Sequence, residues 1–477
     1  MGKKVLAAKS GRAACPNVAA GGGIGAKNAK DVKSFLTGFT GLREASVKPA
    51  ETKSSGVAWI GDIPEGWEVC FLSQKVSQVR NRNYGLKEKN LLSLSYGKIK
   101  RKSIEAIGGL LPASFEGYNV IAADDIVLRL TDLQNDQHSL RVGLSHEQGI
   151  VTSAYTTIRP NAETNAMYLY YLLFAFDIVK GFYGMGSGVR QGLNYDEVKR
   201  IAIVVPPLPV QRAIAAYLDE KCGAIDAAVA EAKKGIEEYK AWKKSLIDDI
   251  VCNGIDRHRH RKETGEVWLA DIPIEWDFIQ IRYLFALRDE RNDKPLKDVN
   301  LISLYTDKGV VQHADLEKTT GNKASTADGY KLVYESDIVV NIILCWMGAV
   351  GRSAYNGVTS PAYDVYRPID PTKVLSRYYH YLFRTPRFNG KCYEEGRGIM
   401  MMRWRTYSSE FRAIKVPVPP LEEQRAIAAY LDEKCAAIDA MIAEKEALIA
   451  DLEAYKKSLI YEVVTGKREV ASTIEVK

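Results

Sequence analysis

The side chains that most often perform catalysis are present in this chain but lack the spacing that catalysis needs. It contains no HExxH pair, no GxxxxGK[ST] phosphate loop and no Asn/Asp-Pro-Pro-aromatic tetrapeptide, since both Pro-Pro pairs lie in VPPL contexts. The six histidines have no metal-ligand spacing, and the seven scattered cysteines form no CxxC, which indicates reduced thiols. We therefore predict a chain with no catalytic chemistry, no metal and no cofactor of its own.

Clusters of basic and amide side chains offer a second kind of chemistry, because such side chains bind DNA phosphates and base edges. In the first half of the chain the candidates are Lys98, Lys100, Arg101, Lys102, Arg129, Arg190 and Gln191, with Gln134 and Asn135 nearby. In the second half they are Lys308, Lys323, Arg352, Arg397, Arg403 and Arg405. Arg190 in GVRQG and Arg397 in GRG rank highest, because glycine lets another backbone approach closely. The alternative for any single residue is a solvated surface charge.

The net charge of +7 does not by itself predict nucleic-acid binding by the folded body. Residues 1–55 hold ten Lys and Arg against three Asp and Glu, which equals the whole excess, and the rest of the chain is balanced. This segment is rich in Ala, Gly and Lys and lacks the apolar core of a secretory signal. We interpret it as a disordered basic leader, with a nucleic-acid-binding arm as the alternative.

An exact repeat shows that the elements carrying these clusters are duplicated. QRAIAAYLDEKC at Gln211–Cys222 recurs letter for letter at Gln424–Cys435, and each copy follows a proline stop, VVPPLP or VPVPPLE, that sets where a helix begins. The opening segments GVAWIGDIPEGWEV from Gly56 and GEVWLADIPIEWDF from Gly265 also match, and their Trp pairs predict an apolar clasp at each domain start. The chain is therefore two copies of one unit.

Between the opening segment and the proline stop, each copy has the pattern of an α/β domain. Three pairs of β-branched runs bounded by Gly, Asn and Asp match: NLLSLSYGKI with NLISLYTDKG, GYNVIAADDIVLRL with GYKLVYESDIVVNI, and AYTTIRP with AYDVYRP. The loops differ, most clearly the basic loops GMGSGVRQGLN (Gly184–Asn194) and EEGRGIMMMRWR (Glu394–Arg405). A shared frame with different loops is typical of a binding fold that takes two different ligands.

After each proline stop, an apolar seam predicts a long helix. Apolar or stem-bearing residues recur at spacings of four and three from Leu218 to Ile250 and from Leu431 to Val463, as in a coiled coil. Each helix would be roughly 60 Å long at 1.5 Å per residue. Pseudo-two-fold symmetry would make the pair antiparallel. The expected fold class is mixed α+β, with two α/β domains separated by two long helices that pair as an antiparallel coiled coil.

The order WIGDIP, variable α/β region, PPL-xx-QRAIAAYLD and KKSLI, present twice between Gly56 and about Arg468, resembles the specificity subunit of type I restriction–modification enzymes. The resemblance implies two target-recognition domains that each read half of a bipartite, asymmetric double-stranded DNA sequence. It also implies helices that set the spacing and dock two methyltransferase (modification) subunits, with two motor-nuclease (restriction) subunits outside. The helix residues implied in docking are Gln211, Arg212, Tyr217, Asp219, Gln424, Arg425, Tyr430 and Asp432.

Further expectations follow from the resemblance. The complex would be an adenine-N6 DNA methyltransferase and ATP-dependent endonuclease in the cytoplasm, with S-adenosylmethionine, ATP and Mg bound by partner subunits and no role at a membrane. Directly before Gln211, Pro209 and Val210 stand where the family usually has two acidic residues. Directly before Gln424, the chain has the two acidic residues, Glu422 and Glu423. The expected divisions are a leader (1–55), a first head (56–207), a helix (208–254), a second head (255–418), a helix (419–466) and a tail (467–477). The alternative function is a coiled-coil adaptor whose two heads bind proteins, which salt-dependent binding of duplex DNA would exclude.

Overall fold

The structure is a computed structural model that describes residues 51–103, 114–136, 139–185, 192–315, 326–398 and 404–470. The chain divides into two compact units, residues 1–223 with 455–477, and residues 224–454. The boundary between the units falls within both long helices.

The described part of the first unit is built from short strands, two helices and one end of each long helix. Its strands are β1 (Thr52–Ser54), β2 (Asp62–Pro64), β3 (Glu68–Phe71), β4 (Val76–Gln78), β5 (Leu92–Ser95), β6 (Lys98–Arg101), β7 (Asn119–Ile121), β8 (Ile126–Leu128), β9 (Val142–Leu144), β10 (Gly149–Val151), β11 (Thr156–Pro160) and β12 (Ala202–Val205). Its helices are α1 (Ala166–Ile178), α2 (Tyr195–Val198) and the start of α3 (Leu208–Asn253).

The second unit repeats this plan. Its strands are β13 (Arg261–Glu266), β14 (Leu269–Pro273), β15 (Asp277–Gln280), β16 (Phe285–Arg288), β17 (Ile302–Tyr305), β18 (Gly309–Gln312), β19 (Lys331–Val333), β20 (Ile338–Asn341), β21 (Val350–Arg352), β22 (Gly357–Thr359), β23 (Tyr363–Pro368) and β24 (Lys415–Val418). Its helices are α4 (Ser376–Leu382), α5 (Pro386–Glu395), α6 (Ser408–Ala413) and most of α7 (Leu421–Val464).

The strand pairings of the two units correspond one to one among the described residues. The four-stranded sheet β4-β11-β8-β9 of the first unit matches β16-β23-β20-β21 of the second, with all neighbours antiparallel. The two-stranded pairs β1–β2, β3–β12, β5–β6 and β7–β10 likewise match β13–β14, β15–β24, β17–β18 and β19–β22. The mixed α/β architecture with an internal repeat, predicted from the sequence, is confirmed.

Sequence pattern explains why these runs form strands. Leu92 and Leu94 of β5 are buried while Ser93 and Ser95, which alternate with them, are half-buried, as expected of a strand with one face on the core. The tight β5–β6 connection places Tyr96 (φ 48°) and Gly97 (φ 75°) in the left-handed region, which matches the twist of a two-residue hairpin. One boundary needs correction: β1 lies inside the expected leader and pairs with β2.

The long helices run antiparallel within the second unit. Lys233 of α3 lies 3.7 Å from Glu453 of α7, and Lys243 lies 2.7 Å from Asp439, so the α7 residue number falls as the α3 number rises. Gly235 gives space to the stem of Lys445, whose ammonium group lies over the ring of Tyr239. The antiparallel pairing predicted from the repeat is confirmed.

Candidate nucleic-acid interface

A buried glutamine at the start of the repeated stretch fixes α3 to the first head. Gln211 is 1% exposed. Its Oε1 accepts the backbone N–H of Asn165 at 2.9 Å, and its Nε2 donates to the carbonyls of Pro206 at 2.9 Å and Glu163 at 3.3 Å. A single amide side chain thus ties together the proline stop, the first turn of α3 and the loop before α1.

Gln424 makes the same set of contacts at the start of α7 in the second unit. It is fully buried, and its Oε1 accepts the N–H of Leu375 at 2.8 Å. Its Nε2 donates to the carbonyls of Lys373 and Pro419, both at 2.8 Å. Gln211 and Gln424 were expected to dock partner subunits, and this assignment needs correction, because both amides are enclosed and hydrogen-bonded within their own unit.

The remaining implied docking residues divide into two groups. Arg212, Asp219 and Arg425 are exposed, and the half-buried Tyr217 and Tyr430 each have a lysine ammonium over the ring. Asp432 instead faces its own head, where it accepts the hydroxyl of Tyr381 at 2.6 Å and pairs with Arg377 at 2.7 Å. Asp432 therefore joins α7 to α4, and its expected role in docking stays a prediction.

A buried tyrosine in each unit binds the last turn of a long helix. The hydroxyl of Tyr168 donates to the carbonyls of Val204 at 3.0 Å and Val464 at 3.2 Å, and the hydroxyl of Tyr378 donates to Val251 at 2.8 Å. Carbonyls at a helix C-terminus have no partner within the helix, so these bonds satisfy groups that would otherwise be buried without one. Burial raises the pKa of both hydroxyls well above 10, which keeps the donating proton in place.

The acidic pair that only the second copy keeps has a structural partner. Glu423 accepts the indole N–H of Trp276 at 2.9 Å and pairs with Arg259 at 2.8 Å. In the first unit the corresponding position is Val210, which is buried and lines a small apolar recess with Trp67. The second Trp of each opening segment therefore contacts the start of a long helix, through a polar contact in the second unit and an apolar one in the first.

Each head brings two variable loops together through one backbone hydrogen bond. In the first head the carbonyl of Leu130, just after β8, accepts the N–H of Leu193 at 2.9 Å. In the second head the carbonyl of Ile342, just after β20, accepts the N–H of Thr406 at 2.9 Å. Leu193 lies near the end of the first glycine-rich basic loop and Thr406 directly follows the second, so the described ends of these loops lie beside the loops that follow β8 and β20. We name each such place a variable edge: residues 129–136 with 192–194, and residues 342–348 with 396–398 and 404–406.

The variable edge of the first head carries amide and basic side chains. Leu133 is fully buried, while the next two residues, Gln134 and Asn135, are exposed. Arg129 is half-buried and lies 3.9 Å from Asp136. The β5–β6 turn packs on Leu140, the residue before Arg141, because a Cβ on Gly97 would meet the Leu140 side chain at 3.2 Å.

The variable edge of the second head combines arginines with stacked aromatic rings. The backbones of Arg397 and Arg405 exchange two hydrogen bonds of 2.8 and 2.9 Å, and both side chains are exposed. Trp404 stacks on Tyr393 with ring centroids 5.0 Å apart, and Trp346 approaches the same tyrosine at 5.5 Å. Aromatic rings and arginines placed together in this way suit contact with nucleic acid.

Comparisons with known proteins agree with this arrangement. A protein-family model described as the type I restriction modification DNA specificity domain matches residues 273–450. The MjaX type I restriction enzyme specificity subunit of Methanocaldococcus jannaschii is 23% identical over 444 residues, covering 86% of this chain and 96% of that relative. The MjaVIII specificity subunit of the same organism is 21% identical over 425 residues, covering 86% and 94%. By these matches, this chain is similar to the specificity subunits of type I restriction–modification enzymes.

The fold agrees with the same family. A chain in a solved structure concerned with complex assembly and conformational transition of the type I R-M system superposes with a TM-score of 0.60 at 15% identity, covering 84% of this chain and 98% of that one. Target recognition is the function of a specificity subunit, so the two variable edges are the candidate sites for reading DNA.

The structure separates the lysine-rich cluster that the sequence grouped together. Lys98, Lys100, Arg101 and Lys102 lie on or just after β6, and all four are exposed. Lys98 follows the turn beside the variable edge, whereas Arg101 pairs with Glu147 at the other end of β6 and lowers the pKa of that carboxyl group. We therefore retain Lys98 as the member of the cluster nearest the variable edge.

Among the second-head candidates, Arg352 has a mainly structural role. Its guanidinium binds Glu335 and Ser336, both at 3.1 Å. Its backbone N–H donates to Nδ1 of His380 at 3.1 Å, and burial together with nearby arginines lowers the pKa of that imidazole to about 3. Lys308 is exposed in the β17–β18 turn.

Arg397 remains at the variable edge and pairs with Glu410 at 2.7 Å while three-quarters of its side chain stays exposed. The preceding residue, Gly396, has no room for a side chain, because a Cβ there would lie 2.4 Å from the indole nitrogen of Trp404. Four sequence candidates, Arg190, Gln191, Lys323 and Arg403, lie outside the described residues.

Two residues that sequence reasoning did not select lie at or beside the first variable edge. Tyr96 at the β5–β6 turn is 76% exposed, and Arg141 just before β9 is fully buried. A charged residue next to the apolar strand run VGL was the available signal for Arg141. Within the described ranges, no group of three His, Cys, Asp or Glu could hold a metal ion, and no helix is long and apolar enough to cross a membrane.

Proposed function

We propose that this chain reads a bipartite, asymmetric double-stranded DNA sequence, with one head on each half-site, as the recognition subunit of a type I restriction–modification complex. One observation carries the proposal: the two heads share their strand pairings but build the variable edge from different side chains. The first edge presents Gln134 and Asn135, and the second presents Arg397 and Arg405. Two different sets of base-reading groups predict two different half-sites.

The residue types suit base reading in the major groove. Gln and Asn pair with adenine through two hydrogen bonds, and Arg pairs in the same way with guanine. Exposed lysines such as Lys98 and Lys308 would bind phosphates and make the affinity depend on salt. Phosphate contacts would place each head on the duplex, and the variable edge would supply the sequence preference.

The paired helices would serve the rest of the complex. Arg212 and Arg425 occupy repeated positions on α3 and α7, as do Tyr217 and Tyr430, so two copies of one partner would find similar surfaces, and Asp219 adds an exposed acidic side chain on α3. We propose these partners to be two methyltransferase subunits, with two motor-nuclease subunits outside them. Those partners would bind S-adenosylmethionine, ATP and Mg, and the complex would act in the cytoplasm as an adenine-N6 methyltransferase and an ATP-dependent endonuclease.

Mapping N6-methyladenine in a host genome tests the proposal. The chain is produced with its methyltransferase subunit, and the genome is compared with that of a strain producing the methyltransferase subunit alone. We expect methylation only with both proteins, at one asymmetric sequence made of two specified parts separated by unspecified base pairs. A palindromic target would contradict the two different heads. Absence of both methylation and salt-dependent DNA binding by the purified complex would support a protein-binding adaptor instead.

A further inference from the structure

We infer that Arg141 is a positioning residue that sets the base preference of the first head by holding the loop Arg129–Asp136 from beneath. The inference rests on the proposed function in one respect only, that this head reads DNA. The feature behind it is a guanidinium group that is fully buried under a loop whose apex is exposed.

The loop folds its backbone carbonyls around this side chain. Nη1 donates to the carbonyl of Thr131 at 2.7 Å and, more weakly, to that of Arg129 at 3.4 Å. Nη2 donates to the carbonyls of Asp132 at 3.3 Å and of Asp136. Among the described residues, no carboxylate lies within ion-pair distance of the guanidinium, so backbone oxygens are its main compensation.

The region below the loop completes the enclosure. Nε of Arg141 donates to the hydroxyl of Tyr183 at 3.3 Å, and its guanidinium lies 5.5 Å from the centre of that ring. The backbone N–H of Arg141 donates to Asp177 at 2.7 Å. A buried charge is costly unless its hydrogen bonds are made, so the loop and the guanidinium stabilise each other.

Because the loop turns its backbone carbonyls toward Arg141, the direction in which it presents its side chains is set. Asp132 adopts a left-handed backbone conformation (φ 58°), and Leu133 is fully buried. Gln134 and Asn135 then remain on the outside. Without the guanidinium, several carbonyls would lack a partner and the loop would adopt other conformations, so its amide side chains would no longer be held in one geometry.

At the equivalent position the second head has a small apolar residue instead. The position before β21 that corresponds to Arg141 is Ala349, which is fully buried. The loop that follows β20 is instead held by the buried Cys345 and the half-buried Trp346 in a short 3₁₀ turn. Arg141 therefore acts on one half-site alone, and the other half-site provides an internal control.

The test uses the complex with its methyltransferase subunit and a pool of duplexes in which both half-sites are randomised, with bound sequences recovered and counted. We expect Arg141→Met to reduce discrimination in one half-site by about tenfold or more, the value of one lost bidentate base contact, and to leave the other unchanged. Arg141→Lys should restore part of the loss. Arg384→Met is the matched control, because this arginine of the second head donates to the carbonyls of Val350, Thr306 and Asp307. It should spare the half-site that Arg141 affects.

A folded Arg141→Met variant that discriminates at both half-sites like the wild type would overturn the inference, and so would equal losses at both. If Arg141→Met does not fold, Tyr183→Phe decides, because it keeps the ring but removes the hydroxyl that accepts from Nε of Arg141 and donates to the carbonyl of Asp136 at 3.4 Å. A selective loss in the same half-site supports the inference, and unchanged discrimination rejects it. A wild-type complex that selects no sequence would reject the proposed function itself, which is a distinguishable result.

Discussion

At the scale of single residues, a buried carboxylate lies directly below the first variable edge. Asp177 near the end of α1 is 2% exposed and accepts the N–H of Arg141. Burial raises the pKa of Asp177 to about 6, and the hydrogen bond from Arg141 and the charges of Lys180 and Arg141 oppose this rise only in part. At neutral pH the carboxylate is therefore ionised in a place that disfavours its charge.

Asp177→Asn should stabilise the protein near pH 7.5, because the neutral amide can still accept the Arg141 N–H. Folded Asp177 binds a proton more tightly than unfolded Asp177, so its contribution to stability is complete below about pH 4 and is lost as the pH rises through 6. The expected gain in the free energy of unfolding is at most about 3 kcal/mol at pH 7.5 and falls toward zero at pH 4. Denaturant unfolding across this range measures it. A variant less stable than the wild type at pH 7.5 would contradict the assignment.

At the scale of elements, the repeated stretch joins each long helix to its head. The motif QRAIAAYLDEK begins with a buried amide, and the residues after it alternate between the helix seam and an exposed face. Gln424 satisfies three backbone groups of two different segments, so its size and both ends of its amide are needed. This internal role explains why glutamine stands at the same place in both copies.

Gln424→Met should destabilise the second unit. The methionine side chain keeps the volume but leaves the N–H of Leu375 and the carbonyls of Lys373 and Pro419 without partners, at about 1–3 kcal/mol for each buried group. We expect a clear fall in Tm, whereas the neighbouring Arg425→Met, which loses only an exposed pair with Glu422, should change stability by no more than about 0.5 kcal/mol. Equal effects of the two substitutions would show that the Gln424 contacts have little energetic importance.

At the scale of the whole molecule, the distribution of charge matters more than its sum. The excess of +7 lies within residues 1–55, and the remainder of the chain is balanced. Several basic side chains that are close together in the sequence form ion pairs with carboxylates of their own unit, among them those of Arg377, Arg387 and Lys391. The basic side chains proposed to contact DNA are therefore a selected few, and total charge is a poor guide to the binding surface.

Removal of residues 1–50 should leave target recognition intact. We expect the same half-site preferences, and a slope of log affinity against log salt that matches the full chain, because phosphate contacts would come from the heads. A basic arm that binds DNA would instead contribute about one unit of slope for each phosphate it contacts. Lys308→Ala serves as the comparison, since loss of one phosphate contact at a head should lower the slope by about one. A much smaller slope after truncation would assign binding to the arm.

The sequence by itself determined the duplication, the α/β character of the heads and the antiparallel helices. The identical QRAIAAYLDEKC copies reveal the repeat, and a seam of spacing three and four must be buried against a partner. These features can be predicted from the sequence because they depend on which residue types recur at which intervals. The candidate site was predicted only in outline, as differing basic loops within a shared frame.

Only the tertiary structure decided what individual polar residues do. Gln211 and Gln424, expected on a docking surface, bind backbone groups that lie more than 40 residues earlier in the chain. Arg141 escaped notice because its partners are the carbonyls of a loop, and every residue type has a carbonyl. Hydrogen bonds to the backbone leave no pattern in the sequence, so folding alone shows which charged and amide side chains are enclosed and which remain outside to meet DNA.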